Sequence, residues 1–286
     1  MMITTDPLLR NPALPIGLFD SGLGGLTVWR RLRQQLPYES LIYFADSARV
    51  PYGSHTPAEI RTWAAEIMSW LVARPVKMIV MACNTSSALA LDALRPWCPV
   101  PILGVILPGA RLAVQQGSRI GILATAATVA SHAYEQAIQE SGQELNRTVQ
   151  CWEQSCPEFV PMIEGGNWRD PQLRLLAMDY LQPLLAKGMD TLVYGCTHYP
   201  LLDPLIKSLL PRHVRRLDPA LALVTAISQE LDFWGLRQTS LHSVSTQFFV
   251  SGDPDRFADR AVTWLGNVPE VARVQLPILQ KSAWGD

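Results

Sequence analysis

The chain has 286 residues, of which 48% are hydrophobic and 17% are charged, and its formal net charge is −1 at pH 7. These values are typical of a soluble α/β protein with one large or two medium domains. The nearly neutral charge, without a basic block, argues against nucleic acid as a partner. No apolar run reaches the ~18 residues that a membrane helix needs, so no membrane association is expected either.

The N-terminal segment lacks the charged start and apolar core of a secretory signal, and we expect residues 1–14 to be a loose leader. Five cysteines without such a signal predict reduced thiols in a cytoplasm. For residues 266–286 the sequence supports no structural prediction.

In the first half of the chain, short apolar runs typical of buried strands alternate with segments of helical periodicity. The predicted strands are 16–20, 41–45, 78–82 and 101–106. The predicted helices between them are 26–36, 58–72 and 87–97. We therefore expect a sheet whose strands are connected by helices.

The second half repeats this alternation. Its predicted strands are 119–124, 191–195, 214–218 and 247–252. Its predicted helices are 127–141, 171–186 and 221–234. Regular alternation of strands and helices predicts parallel sheets that are covered by helices on both faces.

The two halves also resemble each other in sequence. Residues 77–94 (KMIVMACNTSSALALDAL) and 189–209 (MDTLVYGCTHYPLLDPLIKSL) both contain a strand, a cysteine, a polar pair and a helix. Residues 16–22 (IGLFDSG) and 120–126 (IGILATA) are similar as well. We predict two similar α/β halves that each present a thiol at the carboxyl end of a strand, where such sheets bind ligands.

Cys83 and Cys196 are the two thiols at these strand-to-helix junctions. Free N–H groups at a helix N-terminus lower the pKa of a thiol toward neutrality, which we expect for both. The residues that follow can donate hydrogen bonds to a carboxylate, and these are Asn84, Thr85, Thr197 and His198. His198 could take the proton of Cys196 or serve a structural role. Either cysteine alone would be ordinary packing, but two matching junctions favour chemistry.

Other uses of the cysteines fit the sequence less well. Neither C-x-x-C nor H-x-x-x-H spacing surrounds Cys83 or Cys196, so no metal site is predicted. A Cys-His hydrolase would use one thiol and leave the second unexplained. Cys98, Cys151 and Cys156 lack polar neighbours of this kind, and we interpret them as packing residues.

Two further loops follow predicted strands. FDSGLGGLTV (19–28) places Asp20 and Ser21 before glycines that let the backbone approach a ligand, although it lacks the lysine of a phosphate-binding P-loop. The alternative is a tight turn capped by Asp20. ADSARVPYGSHT (45–56) contains a Pro-Tyr-Gly turn, in which Tyr52 contacts a ligand or simply packs.

The motifs DSGLGGL, VPYG, ACNTSSALAL and GCTHYPLL, in this order, resemble the cofactor-independent aspartate/glutamate racemase superfamily, and within it the glutamate racemases. The similarity runs from about residue 16 to 265. It implies an isomerase that interconverts L- and D-glutamate, without a cofactor or metal, and supplies D-glutamate for peptidoglycan and thus for the cell wall and cell shape. It also implies a homodimer. A racemase for aspartate or a hydantoin, and a two-domain amino-acid binding protein, remain alternatives.

The same resemblance implies two doubly wound parallel-sheet domains related by a pseudo-twofold axis, with the active site between them. The first would comprise residues 1–107 plus 217–286 and the second residues 108–216.

The positions of the lysines agree with the absence of pyridoxal phosphate. Lys77 and Lys187 precede strands at the wrong end of the sheet for a Schiff base, Lys207 falls in a helix, and Lys281 falls in the tail.

The resemblance also assigns roles to residues. Cys83 and Cys196 would lie on opposite faces of the substrate, one removing the α-proton and the other returning one. Asp20 would assist Cys83, and Glu164 with His198 would assist Cys196, although Glu164 could instead be a solvated loop acid. Substrate binding would fall to Asp20, Ser21, Tyr52, Gly53, Asn84, Thr85, Thr125, Thr128, Thr197 and His198. Two sulfurs that flank one carbon would lie roughly 7 Å apart and form no disulfide.

Overall fold

The structure is a computed structural model that describes residues 11–240 and 244–279. Its strands, numbered along the chain, form two sheets in which every pairing is parallel. The first sheet consists of β1 (Ile16–Asp20), β2 (Leu41–Ala45), β3 (Met78–Met81), β4 (Ile102–Gly104), β9 (Thr246–Val250) and β10 (Val271–Arg273). The second consists of β5 (Arg119–Ala124), β6 (Gln150–Ser155), β7 (Thr191–Gly195) and β8 (Arg215–Leu217).

The two sheets share one strand order. The first sheet runs β10-β9-β2-β1-β3-β4, and the second runs β6-β5-β7-β8. The order β2-β1-β3-β4 in the first therefore corresponds to β6-β5-β7-β8 in the second, with β1 matching β5 and β3 matching β7. This correspondence is the structural form of the internal similarity in the sequence, since the two cysteines follow β3 and β7.

Helices connect the strands and cover both faces of each sheet. Along the chain they are α1 (Leu26–Gln35), α2 (Pro57–Val72), α3 (Asn84–Leu94), α4 (Ile106–Gln116), α5 (Ala126–Ala130), α6 (Ala133–Glu144), α7 (Phe159–Glu164), α8 (Gln172–Ala186), α9 (Asp203–Leu209), α10 (Pro219–Phe233) and α11 (Pro254–Leu265). None of the helices in the described ranges has both the length and the apolar character needed to cross a bilayer.

Alternating side chains of each strand enter two separate cores. In β1, Leu18 packs with α1 and α10 on one face, and Phe19 packs with α2 and α3 on the other. In the second sheet, Ile122 of β5 faces the core under α4 and α6, and Leu123 faces the core under α7, α8 and α9. Burial of apolar residues on both faces explains why these strands read as continuous apolar runs. The predicted α/β class with doubly wound parallel sheets is confirmed.

The chain leaves the first sheet and later returns to it. Strands of the first sheet come from residues 16–104 and 246–273, and those of the second come from residues 119–217. We propose that the domain boundaries lie near residues 107 and 217, with α4 and the start of α10 at the crossings. Residues 1–10 of the expected leader lie outside the described residues, whereas the Pro12 carbonyl accepts a 2.6 Å hydrogen bond from Lys77 Nζ.

Several predicted elements differ from the observed ones. The predicted strand 101–106 ends at Gly104, because α4 already begins at Ile106. The predicted helix 127–141 is broken at His132, whose φ of 54° is in the left-handed region. The predicted helix 87–97 begins earlier, at Asn84, directly after Cys83.

The predictions also missed some elements, mostly short or at the sheet edges. Strand β6 (QCWEQS) is polar and half-buried at an edge, and β10 has only three residues, so neither shows an apolar run. Helices α7 and α9 have six and seven residues. Helix α11 was also not predicted, although its sequence carries clear signals, with Asp253 and Pro254 at its start and Gly266 after its end.

Candidate active site

The carboxyl ends of β1, β3 and β7 meet at one cavity between the two sheets. The residues that line it are Ser21, Pro51, Tyr52, Gly53, Cys83, Asn84, Thr85, Thr125, Val160, Cys196, Thr197 and His198. Most of the predicted site residues are thus brought together. Three predicted residues, Asp20, Glu164 and Thr128, lie behind this lining and reach it through hydrogen bonds.

The cavity is nearly closed. Its volume is ≈ 10 Å³, about the space that one water molecule needs. Cys83 and Cys196 are both buried, with exposures of 5% and 6%, and both are free thiols. An amino acid is larger than this accessible space.

Cys83 lies at the start of α3, where it is the N-cap residue. Its Sγ lies 3.9 Å from Ser21 Oγ. Burial, reinforced by the nearby charge of Asp20, raises the pKa of the Cys83 thiol to about 12. The prediction that the helix N-terminus lowers this pKa is therefore wrong, because the loss of hydration outweighs the helix N–H groups.

Cys196 has a different environment. Its Sγ lies 3.6 Å from His198 Nδ1, and the following residues form a 3-10 turn at Tyr199–Leu202 before α9 begins. The expected α-helix N-terminus is thus absent from this junction, and a histidine stands beside the sulfur instead. A cation beside a thiol is a recurring way to activate a cysteine.

His198 is joined to a carboxylate on its other side. Its Nε2 lies 2.7 Å from Glu164 Oε1, and the ring is buried. Burial alone would lower the pKa of His198, but its hydrogen bonds and charge interactions with Cys196 and Glu164 raise that pKa well above its ordinary value. The imidazole therefore favours its protonated form while both partners are anionic.

Glu164 is the last residue of α7 and is not a solvated loop acid. Only 16% of its side chain is exposed. Its Oε1 also accepts a 2.9 Å hydrogen bond from the Leu23 backbone N–H. Burial by itself raises the pKa of the Glu164 carboxyl, but the bond from His198, with its charge and the Leu23 N–H, outweighs burial and lowers the pKa.

Asp20 is fully buried at the end of β1. One of its oxygens accepts a 3.0 Å bond from the Gly22 N–H, and the other accepts a 3.0 Å bond from Thr197 Oγ1. Burial raises the pKa of Asp20, against the opposing effects of the His198 charge and these hydrogen bonds. Because Asp20 also raises the pKa of Cys83, its charge state affects the basicity of that sulfur.

The glycine-rich loop between β1 and α1 contacts residues of the second half. A Cβ atom at Gly22 would lie 2.3 Å from Glu164 Oε1, and one at Gly24 would lie 2.3 Å from Thr197 Oγ1 and 2.5 Å from His198 Nδ1. Neither approach leaves room for a side chain. The glycines thus allow backbone of the first half to contact the acid/base groups of the second half.

Three threonine hydroxyls form a triangle across the cleft. Thr85 Oγ1 lies 2.9 Å from Thr125 Oγ1 and 3.2 Å from Thr128 Oγ1, and the latter two are 2.9 Å apart. Thr125 is also the N-cap of α5. Asn84 Oδ1 accepts a 2.7 Å bond from Tyr134 OH, which leaves the Asn84 amide N–H₂ group for a ligand.

Tyr52 lines the cavity, but its hydroxyl donates to the buried carboxylate of Asp46. Burial and the Asp46 charge raise the pKa of Tyr52 well above its ordinary value, so the phenol stays neutral. Ser251 Oγ donates to the other Asp46 oxygen at 2.6 Å. No motif in the sequence predicts that Asp46 and Ser251 support Tyr52 in this way.

In the described part of the chain, no group of three or more His, Cys, Asp and Glu side chains is arranged to hold a metal ion. Cys98 and Cys156 are buried in the apolar cores, and Cys151 is half-buried. None of these three lines the cavity.

Comparison with known proteins gives matches along most of the chain. Residues 16–227 match the family model of Asp/Glu/hydantoin racemases. A protein named glutamate racemase from Gloeothece citriformis is 51% identical over 269 residues, which are 94% of this chain and 95% of that relative.

Solved structures are similar as well. The glutamate racemase isoform RacE1 from Bacillus anthracis superposes with a TM-score of 0.88 at 34% identity, over 94% of this chain and 100% of that one. The glutamate racemase from Francisella tularensis, solved in complex with D-glutamate, has a TM-score of 0.85 at 33% identity, over 92% of this chain and 98% of that one.

Proposed function

The chain belongs to the Asp/Glu/hydantoin racemase family, and on that premise we propose that it interconverts L- and D-glutamate by proton transfer at Cα. The observation that carries the proposal is the pair of cysteines, Cys83 and Cys196, which line one cavity from corresponding strands of two similar sheets. A binding protein would need no such pair of thiols.

In the proposed reaction, one sulfur acts as thiolate and removes the α-proton, so that the Cα–H bond breaks and an S–H bond forms. The other thiol then gives its proton to the opposite face of Cα and becomes the thiolate. Because the pKa of Cys83 is raised to about 12, Cys83 holds the proton in the resting enzyme. In the direction in which Cys83 donates its proton, the sulfur beside His198 is the base, and turnover in the opposite direction starts with the roles exchanged.

A sulfur with a raised pKa also suits the substrate. The α-proton of an amino acid is very weakly acidic. Proton transfer is most effective when the pKa values of donor and acceptor are close to each other. Burial thus makes the Cys83 thiolate a stronger base than a solvated thiolate. Neither arginine nor lysine is among the described residues that line the cavity, so neutral donors such as Asn84 and Thr85 hold the carboxylates.

The test is optical. Purified, metal-free protein is incubated with L-glutamate, and circular dichroism follows the loss of signal as the racemate forms. An unchanged signal over hours with an intact fold contradicts the proposal. Aspartate and hydantoin substrates in parallel distinguish the related activities, which differ by small changes in side chain. Exchange of the α-proton in heavy water separates a racemase from an amino-acid binder, since a binder exchanges none.

Three further statements belong to the proposal. The product D-glutamate serves peptidoglycan synthesis, the enzyme works in the cytoplasm, and it forms a homodimer. Free cysteines are consistent with a reducing compartment. Cell fractionation, analytical ultracentrifugation and a test for D-glutamate dependence of cells that lack the gene address these statements separately.

A further inference from the structure

Arg260 is a charged side chain that reaches the acid/base groups from outside the cavity. It lies on α11, which packs on the first sheet, and its guanidinium donates a hydrogen bond to the Glu164 backbone carbonyl at the end of α7, which packs on the second sheet. The last carbonyls of a helix have no partner within the helix, so this contact satisfies one of them.

Glu164 is thereby held at both its backbone and its carboxylate. Arg260 binds the carbonyl, while the Leu23 N–H and His198 Nε2 bind Oε1. From this geometry we propose that Arg260 is a positioning residue. It links the contact between the two halves to the alignment and protonation of Glu164. Through Glu164 it also acts on His198 and Cys196. This inference rests on the proposed racemase function.

Arg260 is one of several charged groups around the Glu164 carboxyl. A cavity of ≈ 300 Å³ lies beside both residues and is separate from the one that holds the thiols. The charged and titratable groups around Glu164 are Tyr43, His198, Asp253, Arg256 and Arg260. Asp20 and Cys196 interact with His198 in turn. Arg260 acts on the carboxyl in the same direction as His198, since both lower its pKa.

The sign of the expected effect follows from that charge. Glu164 must be ionised to form an ion pair with the protonated His198 ring. Without the cation of residue 260, Glu164 takes up a proton at higher pH than before, so the acid limb of the pH profile of kcat/KM moves to higher pH. Both directions must lose the same factor in kcat/KM, because the two enantiomers have equal free energy, whereas kcat and KM can change separately.

Three variants test this. Arg260→Met removes the positive charge. Arg260→Lys keeps the charge but lacks the planar guanidinium group with its several N–H donors. Arg256→Met is the matched control. Arg256 lies one turn away and lines the same cavity, but its side chain makes no hydrogen bond to Glu164 within the described residues. We expect Arg260→Met to lower kcat/KM about ten-fold or more at neutral pH and to shift the acid limb upward. Arg260→Lys should keep the acid limb at its wild-type pH but not reach the wild-type kcat/KM. Arg256→Met should change neither the acid limb nor kcat/KM.

A second measurement does not depend on turnover. The His198 ring is followed by NMR titration in the folded protein, and its pKa should fall in Arg260→Met, because a displaced Glu164 carboxylate stabilises the imidazolium less. It should not fall in Arg256→Met. If Arg260→Met leaves both the acid limb and the His198 titration as in the wild type, the inference is wrong and Arg260 only stabilises the fold. If the wild-type protein racemises no glutamate but the His198 titration still shifts as expected, the proposed function fails and the positioning role stands.

Discussion

Thr197 Oγ1 donates a 3.0 Å hydrogen bond to Asp20 Oδ2, and this bond joins the loop after β7 to the end of β1 across the cleft. Both residues are buried, with exposures of 6% and 0%. The bond is one of the interactions that lower the pKa of Asp20 against the effect of burial. The ionisation of Asp20 therefore depends on a residue of the other half.

Asp20→Asn should lose activity and gain stability at neutral pH. The folded pKa of Asp20 is raised by burial, so the ionised carboxyl costs stability once the pH exceeds that pKa, and the cost disappears below the unfolded value near 3.8. Asparagine avoids this cost. We expect a Tm above that of the wild type at pH 7.5, a gap that narrows as the pH falls toward 3.8, and a loss in kcat/KM of roughly a hundred-fold. A Tm difference that does not change over this range would contradict the assignment.

Cys83→Ser and Cys196→Ser should each lower kcat by roughly a thousand-fold or more, because a hydroxyl does not ionise near neutral pH and cannot replace the thiol as acid/base. Binding of glutamate, measured by calorimetry, should remain detectable. Cys151→Ser is the control, since Cys151 is half-buried on β6 and does not line the cavity. Full racemase activity in either single variant would rule out a mechanism with two thiols.

Gly24→Ala should reduce kcat/KM by at least about a hundred-fold, because its Cβ would lie within 2.5 Å of His198 Nδ1 and displace the acid/base groups. Gly17→Ala is a suitable comparison, since the atoms nearest to its Cβ would be methyl groups of Leu71, at 3.1 and 3.4 Å, and of Val76, at 3.4 Å. Steady-state kinetics of both variants, with melting curves to verify folding, decide the point. Normal kinetics of Gly24→Ala would show that the close approach is not needed for turnover.

Thr85→Val should raise KM for glutamate by roughly five- to ten-fold and leave kcat less affected, because one neutral hydrogen bond to the substrate is lost. Valine has nearly the shape of threonine, so the cavity keeps its form. Thr62→Val on α2 removes a hydroxyl that bonds the Ala58 carbonyl, outside the cavity, and should leave KM unchanged. A Thr85→Val enzyme with unchanged KM would show that the hydroxyl triangle does not hold substrate.

Much of this architecture could be predicted from short stretches of the sequence. The central strands β1, β2, β5 and β7 lie within the predicted bounds, because strands that are buried on both faces need uninterrupted apolar residues. The edge strands β6 and β10 were missed for the opposite reason, since an edge strand can be polar and short. The break at His132 depends on a left-handed backbone conformation, for which the surrounding sequence has no glycine.

For the site, motif residues next to the cysteines could be named from the sequence, since their positions follow from strand ends. The sequence could not indicate that Tyr52 donates to Asp46, or that Arg260, far along the chain, contacts Glu164. The contact of Arg260 depends on the packing of α11 against the second half.

By itself, the sequence determined the α/β class, the internal similarity and the two thiols at matching junctions, because these depend on local periodicity and on the order of residues. Only the tertiary structure decided how the two thiols differ. Cys83 is buried near the Asp20 carboxyl and has a raised pKa, whereas Cys196 lies beside His198 and Glu164. The physical reason is that a pKa depends on hydration and on neighbouring charges, and both are set by residues that meet only after the two halves have packed together.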